Sequence, residues 1–348
     1  MDGSSFRANA GIRNTWTKER CQEHLQKIDE HIDRLLTESE QIDQSEETQE
    51  SQVKLNQEIQ NQESLKKKIQ EIAAKLQNDN LKLHNTTDPE CVTTKGRQGT
   101  HAGYNAQSVV DEKNGLIVHT EAVSHSQDYN KLQGQVVKAG EVLGSKPEIV
   151  SCDCGYYSLD DLAKVDSDIT IVIPSIRQAQ REKDLHPLKP FGKEQFKYDK
   201  EHDHYICPAG KCLVYNGASP TGSKSYYQAK RRDCHACRFF GLCTTRAKQG
   251  RVIARMREEE LQERLKNIYQ SPQGQAVYRL RKQKVELPFG HFKRNLLAGH
   301  FLLRGRSGAT AELSLLATCF NLTRMMTLLG IPNLLVKMAV KQSVLQPA

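Results

Sequence analysis

The sequence predicts an α/β fold in which a mixed sheet is flanked by helices. Two segments that alternate apolar and polar residues, 104–111 and 116–123, flank a Glu-Lys-Asn-Gly turn and predict a β-hairpin. A helix over about residues 129–143 follows, and the β-branched run at 169–174 suits a strand that is buried on both faces. The order of hairpin, helix, strand, helix and strand is typical of such a sheet.

Length and charge limit the classes of protein to consider. The 348 residues are enough for two domains, and the net charge of +8 favours a polyanionic partner, nucleic acid first. No segment approaches eighteen uninterrupted apolar residues, and no apolar stretch follows a basic N-terminus. We therefore expect a cytoplasmic protein with no membrane partner. In that compartment the ten cysteines indicate thiols or metal ligands rather than disulfides.

Residues 17–84 predict a helical coiled-coil insertion. Apolar residues that step by three and four form two narrow seams. The seams contain Leu25, Ile28, Ile32 and Leu35, then Leu65, Ile69, Ile72 and Leu76. Residues 44–50 between them are all polar, which favours an antiparallel hairpin of two helices over one long helix. We expect this arm to be a spacer or a contact that makes a homodimer, and to carry no catalytic residue.

A buried strand is predicted to carry Asp153 into a glycine turn. Two β-branched residues form the strand, Gly155 permits a sharp exit, and the Ser158 hydroxyl should cap a helix over residues 158–163. Open α/β sheets bind their ligands at this end of their strands. Asp153 is therefore either a metal ligand or only the cap of the turn, where Asp is favoured.

Residues 191–257 predict a small β insertion that is rich in cysteine. A Cys-x-x-Cys pair with further thiols at these separations is typical of zinc ribbons, because thiolates on a tight turn can occupy adjacent corners of one tetrahedron. The predicted zinc ligands are Cys207, Cys234, Cys237 and Cys243, and Cys212 could replace Cys207. Four thiolates leave zinc no open position, so the site would be structural. The alternative is a set of reduced cysteines that packs the insertion.

Residues 278–306 contain eight Lys or Arg residues and one acid, Glu286. The cations form either a solvated face or a phosphate-binding surface, and Glu286 is either their salt-bridge partner or a metal ligand. A charged helix is expected over residues 258–276, and Pro288 should kink or restart the helix that carries Glu286. The apolar segment at 309–329 predicts a packing helix.

Three acids from distant positions, Asp153, Glu286 and one on an early strand, could bind two hard divalent cations that act on a phosphodiester. The sequence around them contains a set of recognisable motifs. They are Asp2-Gly-Ser-Ser-Phe-Arg-Ala-Asn-Ala10, Gly103-Tyr-Asn-Ala-Gln107, Cys152-Asp-Cys-Gly-Tyr-Tyr-Ser158, Cys207-Pro-Ala-Gly210, Cys234-x-x-Cys237 and Val285-Glu-Leu-Pro-Phe-Gly-His-Phe-Lys-Arg294. With these motifs the chain resembles the DDE transposases of bacterial insertion sequences, in the branch that has a cysteine-containing insertion before its glutamate.

The resemblance implies an RNase H-like core that binds double-stranded DNA, at transposon ends and at the target. It implies metal-dependent DNA cleavage and strand transfer with Mg²⁺ or Mn²⁺ held by Asp2, Asp153 and Glu286. It also implies a location in the bacterial cytoplasm, at the nucleoid when the protein is bound to DNA. The DNA-binding residues that it implies are Tyr278, Arg281, Lys293 and Arg294.

Asp2 has two rivals for the position of the first catalytic acid. Asp2-Gly-Ser resembles the Asp-Gly-Thr motif that closes the first strand in this family. Asp88 is the main rival, because it lies just before the hairpin and recurs in this branch. Asp111 is a weaker candidate that suits a turn after its strand.

The chain also departs from the family. Only Met1 precedes Asp2, so the strand that should hold this acid is expected to be nearly absent. We expect the family's upstream helical DNA-binding region to be absent, and four rather than three residues separate Arg281 from Glu286. We therefore expect an N-terminally truncated transposase, with an inactive DNA-binding remnant or interfering fragment as the alternative function. The expected domains are 1–16 as a remnant of the first core strand, 17–84 as the helical hairpin, 85–190 and 258–348 as the two parts of the catalytic core, and 191–257 as the cysteine-rich insertion.

Overall fold

The computed structural model describes residues 1–44, 49–96, 99–181, 190–246 and 248–345. It contains 48% helix and 21% strand, which confirms the α/β class. The strands are divided among several sheets, whereas the sequence had suggested one mixed sheet. The chain forms two compact units, one of residues 1–128 with 283–348 and the other of residues 129–282.

The strands and helices are numbered in chain order. The strands are β1 (Asp2–Arg7), β2 (Thr15–Trp16), β3 (His84–Asn85), β4 (Val92–Gly96), β5 (Gly99–Val110), β6 (Ile117–Val123), β7 (Ile149–Ser151), β8 (Thr170–Val172), β9 (Lys197–Asp199), β10 (His204–Ile206), β11 (Cys212–Ala218), β12 (Lys224–Ala229) and β13 (Val252–Met256). The helices are α1 (Lys18–Gln44), α2 (Gln49–Asn78), α3 (Leu132–Leu143), α4 (Leu159–Leu162), α5 (Ile176–Arg181), α6 (Arg231–His235), α7 (Glu259–Gln270), α8 (Pro272–Arg294), α9 (Gly305–Leu329) and α10 (Ile331–Leu345).

The sheet of the first unit is antiparallel and is organised around the long strand β5. Strands β1, β4 and β6 all pair with β5. The predicted hairpin is confirmed as β5 and β6. Its turn is held by Asp111, whose carboxylate accepts the backbone N–H groups of Asn114 and Leu116, and Gly115 has the left-handed φ of 69° that this turn needs.

Strand β1 is fully formed, so the expectation that it would be nearly absent is wrong. It runs from Asp2 to Arg7 and pairs along its whole length with β5, from Asp2 opposite Ser108 to Arg7 opposite Gly103. Asp2 therefore begins this strand instead of closing it. The long partner strand explains the difference, because β5 supplies backbone hydrogen bonds along all of β1.

Helices α8 and α9 cover this sheet with apolar side chains. The buried cluster combines residues of β1, β5 and β6 with others from the two helices and from the segment that connects them: Phe6, Tyr104, Ala106, Ala122, Phe289, Phe292, Phe301, Leu313 and Phe320. Asn321 on α9 fixes the contact with β6, because its side chain both accepts the Ile117 N–H at 2.7 Å and donates to the Ile117 carbonyl at 2.8 Å. The apolar segment is thus a packing helix, as predicted.

Helices α1 and α2 pack against each other as a hairpin whose base is closed by pairing of β2 with β3. Its buried seam contains Ile28, Leu35, Ile69 and Leu76, in agreement with the predicted spacing. Leu65 is 43% exposed and lies outside the buried seam, contrary to the prediction. Of the polar stretch predicted to connect the helices, residues 45–48 lie outside the described part of the chain.

The second unit contains two sheets. Strands β7 and β8 are parallel neighbours, and strands β9 to β13 form a five-stranded antiparallel sheet in the cysteine-rich region. The charged helix predicted over residues 258–276 is instead two helices, α7 and α8. The break lies at Ser271, whose hydroxyl accepts the Gly274 N–H at 3.0 Å, and Pro272 takes the first helical position.

Helix α8 continues through Pro288, so the restart that the proline could have imposed does not occur. Gly330, with φ of 72°, ends α9. Within the described residues no single helix is long and apolar enough to cross a membrane. Helices α9 and α10 (to Ala339), bent by 112° at their junction, meet the criterion as a pair by length and composition only.

Candidate functional site

Asp2 is half-buried at the start of β1, and its carboxylate accepts the Gly3 N–H at 3.0 Å. Pairing places Gly3 opposite Gln107 on β5. A Cβ atom at Gly3 would lie 2.1 Å from a carboxylate oxygen of Asp128 and 2.6 Å from the Gln107 amide nitrogen. Only glycine therefore fits beside Asp2, which gives a physical reason for the Asp-Gly pair.

Asp128 is a carboxylate close to Gly3 that the sequence analysis did not identify. Its Oδ1 accepts hydrogen bonds from the side-chain amides of Asn105 at 2.7 Å and Gln107 at 2.6 Å. The only sequence feature that could have indicated this partner is the spacing of Asn105 and Gln107. Residues two apart on a strand share one face, and buried amides on that face require hydrogen-bond partners. Asp128 supplies that partner and fixes the polar surface next to Gly3.

Lys293, in the last turn of α8, contacts strand β1. Its ammonium donates to the Ser4 hydroxyl at 2.6 Å and to the Ser5 carbonyl at 2.9 Å, and it lies 4.7 Å from the centre of the Phe6 ring. Desolvation by these neighbours lowers the pKa of Lys293, while the negative charge of Asp2 opposes that shift. Two of the predicted site residues, Asp2 and Lys293, therefore interact.

Glu286 is exposed on α8, seven residues before Lys293. Residues at this spacing lie on one face of a helix, about 10 Å apart along its axis. The neighbouring Val285 and Phe289 are buried and anchor this part of the helix. The carboxylate of Glu286 thus faces solvent on the same side of α8 as the ammonium of Lys293.

Asp153 belongs to the second unit and follows β7. Its Oδ1 accepts the Gly155 N–H at 2.9 Å and caps a short 3₁₀ turn (Cys154–Tyr156). The turn-capping role considered from the sequence is therefore observed. A carboxylate can accept about four hydrogen bonds or metal contacts, so the cap does not exclude a metal. The metal-binding role of Asp153 stays a prediction.

The cap proposed for the next helix is wrong. Ser158 precedes α4, but its hydroxyl donates to the Asn130 side chain instead of accepting a backbone N–H of the helix. Asn130 has a left-handed φ of 59° and lies 28 residues away in sequence, so the partner could not be read from local pattern.

Asp88 has an exposure of 0%, in contrast to Asp2. It accepts a hydrogen bond from the Tyr104 hydroxyl at 2.7 Å and one from the Gly305 N–H at 3.2 Å. Burial, together with the negative charge of Asp88, raises the pKa of the neighbouring Cys91 thiol to about 12. These contacts give Asp88 a structural role at the base of α9, and Asp111 likewise serves its turn.

The residues proposed to bind DNA divide into two pairs. Lys293 and Arg294 are exposed in the last turn of α8. Tyr278 and Arg281 are buried, with the Arg281 guanidinium 5.5 Å from the centre of the Tyr278 ring, which packs at 5.1 Å against Tyr269. Direct DNA contacts by the buried pair stay a prediction.

The four cysteines predicted as zinc ligands line one cavity in the second unit. The thiol of Cys243 has a raised pKa, chiefly because of burial, and the charges of Cys234, Cys207 and Cys237 add to the shift. Backbone N–H groups point at two of the sulfurs, at 3.2 Å for Cys207 and 3.3 Å for Cys234. Cys212 is exposed and is not among the cavity residues.

This donor set suits zinc, because thiolates are its preferred structural ligands and N–H bonds to sulfur stabilise their charge. The sulfurs would have to move closer to bind one ion. Within the described residues, three ligand atoms that all lie within 4.8 Å of one another occur at Asp199, His202 and His204 and not among these cysteines.

Comparison with known proteins gives one positive result. No curated protein and no solved structure matches the chain. The family model of the transposase DDE domain matches residues 206–326, about a third of the chain, which include the four cysteines, Glu286 and Lys293. Asp2 and Asp153 lie outside the matched region. A domain of this family implies binding to DNA and transposase activity in DNA transposition.

Proposed function

We propose that the chain is a DDE-type transposase that binds insertion-sequence ends and catalyses metal-dependent cleavage and strand transfer. The observation that carries this proposal is the match of residues 206–326 to the transposase DDE domain. The matched helix α8 bears Glu286 and packs on β1, where Phe289 lies 6.2 Å from Phe6 between ring centres. Strand β1, which begins at Asp2 and lies outside the matched region, therefore packs against helix α8, which lies within that region.

The proposed catalytic acids are Asp2, Asp153 and Glu286, on an RNase H-like core. Carboxylate oxygens suit Mg²⁺ or Mn²⁺, which when bound would activate a water or a 3′-hydroxyl and neutralise charge on the phosphate. Among the rivals for the first acid, Asp88 is fully enclosed and already hydrogen-bonded, whereas Asp2 is half-buried beside Lys293. This contrast favours Asp2. The assignment of Asp153 rests on its sequence motif.

Lysine and arginine side chains of the protein would bind the DNA. The net charge of +8 and the exposed Lys293 and Arg294 favour contacts with phosphates, so affinity for DNA should fall steeply with salt concentration. We place the protein in the bacterial cytoplasm, at the nucleoid when bound, and the α1–α2 hairpin is a candidate contact for a homodimer. Zinc at Cys207, Cys234, Cys237 and Cys243 would be structural.

The test is nicking of plasmid DNA that carries the sequences flanking the gene, with Mg²⁺ or with a chelator. The wild-type protein should nick only with the metal. Asp153→Asn and Glu286→Gln should abolish nicking and keep the affinity for DNA measured by gel shift. Asp160→Asn is the matched control, because Asp160 is an exposed acid on α4. Binding without nicking under any metal condition would instead support an inactive DNA-binding remnant.

A further inference from the structure

The hairpin of β9 and β10 gathers two imidazoles and one carboxylate, apart from the acids and thiols discussed above. Asp199 ends β9 and His204 begins β10, and the two are directly opposite in antiparallel register. His202 lies in the four-residue turn between them. The ligand atoms of these three residues all lie within 4.8 Å of one another.

The distances suit a single metal ion. Nδ1 of His202 lies 2.9 Å from Oδ2 of Asp199, and Nε2 of His204 lies 3.9 Å from the same oxygen. Nitrogen and oxygen ligands at about 2.0–2.2 Å from a tetrahedral ion are separated by about 3.3 Å. The observed separations bracket that value, so small side-chain movements would let one ion contact all three groups.

The turn that carries His202 is anchored to the buried core of its sheet. Asp203 adopts a left-handed φ of 46°, and its Oδ1 accepts the hydroxyl groups of Tyr198 at 2.6 Å and Tyr227 at 2.5 Å. The Arg255 guanidinium stacks 3.7 Å from the centre of the Tyr198 ring. These contacts fix the reversal of the chain between the two histidines, which limits the reorganisation that binding an ion would need.

The carboxylate of Asp199 is also oriented by the backbone. Its Oδ1 accepts the N–H groups of Glu201 at 3.0 Å and His202 at 3.3 Å, which leaves Oδ2 directed at the two imidazoles. A carboxylate that served only to cap this turn would need the first oxygen alone. The convergence of both histidines on the second oxygen is the feature that local turn chemistry does not require.

We propose that Asp199, His202 and His204 bind a divalent transition-metal ion of the Zn²⁺ class. Two imidazoles and one carboxylate are ligands that Zn²⁺, Ni²⁺ and Cu²⁺ all accept, and three protein ligands leave a fourth position open to water or another donor. His202 is exposed, so the ion can enter from solvent. The site is separate from the thiol set and does not depend on transposase activity.

The test is Zn²⁺ titration of the full-length reduced protein by calorimetry, with bound metal counted by elemental analysis after dialysis. His202→Ala and His204→Ala should each weaken one class of site at least about tenfold, since ligand loss costs no less than loss of an outer-shell partner. His125→Ala, at an exposed histidine of the other unit, should bind as wild type. A Cys234→Ser, Cys237→Ser double variant should keep this site.

Two results would overturn the proposal. One is that both histidine variants bind the same number of Zn²⁺ ions as the wild type with unchanged affinity. The other is that the double cysteine variant binds no Zn²⁺, which would assign all binding to the thiols. Because the readout is metal bound and not DNA cleaved, failure here would leave the proposed transposase function untouched.

Discussion

Replacing Asp88 by alanine should destabilise the first unit strongly. The side chain is fully buried and accepts hydrogen bonds from the Tyr104 hydroxyl at 2.7 Å and the Gly305 N–H at 3.2 Å. Hydrogen bonds to a charged group contribute about 1.5–3 kcal/mol each. For the two bonds together, the expected loss in the free energy of unfolding is therefore about 3–6 kcal/mol.

The assay is urea unfolding followed by circular dichroism. At a slope of about 2–3 kcal/mol per molar urea, the midpoint should fall by more than about 1 M. Asp88→Asn should lose less, because the amide oxygen can still accept one bond. Asp2→Asn is the control and should shift the midpoint little, since the Asp2 carboxylate is half-buried. An Asp88→Ala protein as stable as wild type but unable to cleave DNA would refute the structural role.

Three further predictions concern the same unit. Asn321→Ala removes both side-chain hydrogen bonds to the Ile117 backbone, so it should lower the free energy of unfolding in urea by about 2–3 kcal/mol. An unchanged free energy of unfolding would contradict the role assigned to Asn321. Gly103→Ala would place a Cβ 2.3 Å from the Phe6 carbonyl oxygen, so it should cost about 1–3 kcal/mol by forcing β1 from β5. The pKa of Cys91, raised to about 12, keeps its thiol protonated at pH 8, so alkylation there should be negligible until the protein unfolds.

Local patterns predicted the features that depend on neighbours in sequence. The β5–β6 hairpin follows from alternation and from the Asp111 and Gly115 turn, and the α1–α2 seam follows from three-and-four spacing. The grouping of the four cysteines around one cavity also agrees with their ribbon-like spacing. In each case the physical cause lies within one element or one turn.

The features that the sequence missed depend on contacts between distant segments. Asp128 fills the space over Gly3 only because β1 pairs beside Gln107, more than a hundred residues later. Ser158 donates to Asn130 instead of capping its helix, and Asp88 is enclosed by the start of α9. The local sequence around a turn residue or an acid does not specify which distant group it will contact. The roles of these residues could therefore be assigned only from the three-dimensional structure.

We propose that Asp2 supplies the first carboxylate of a metal-dependent DNA-cleaving site. The most direct measurement is the rate of Mg²⁺-dependent nicking of insertion-end DNA by Asp2→Asn, compared with wild type at equal occupancy of the DNA. We predict that nicking falls to the level seen with chelator, while the affinity for DNA and the urea midpoint stay those of the wild type. Nicking at the wild-type rate by Asp2→Asn would contradict the catalytic role of Asp2.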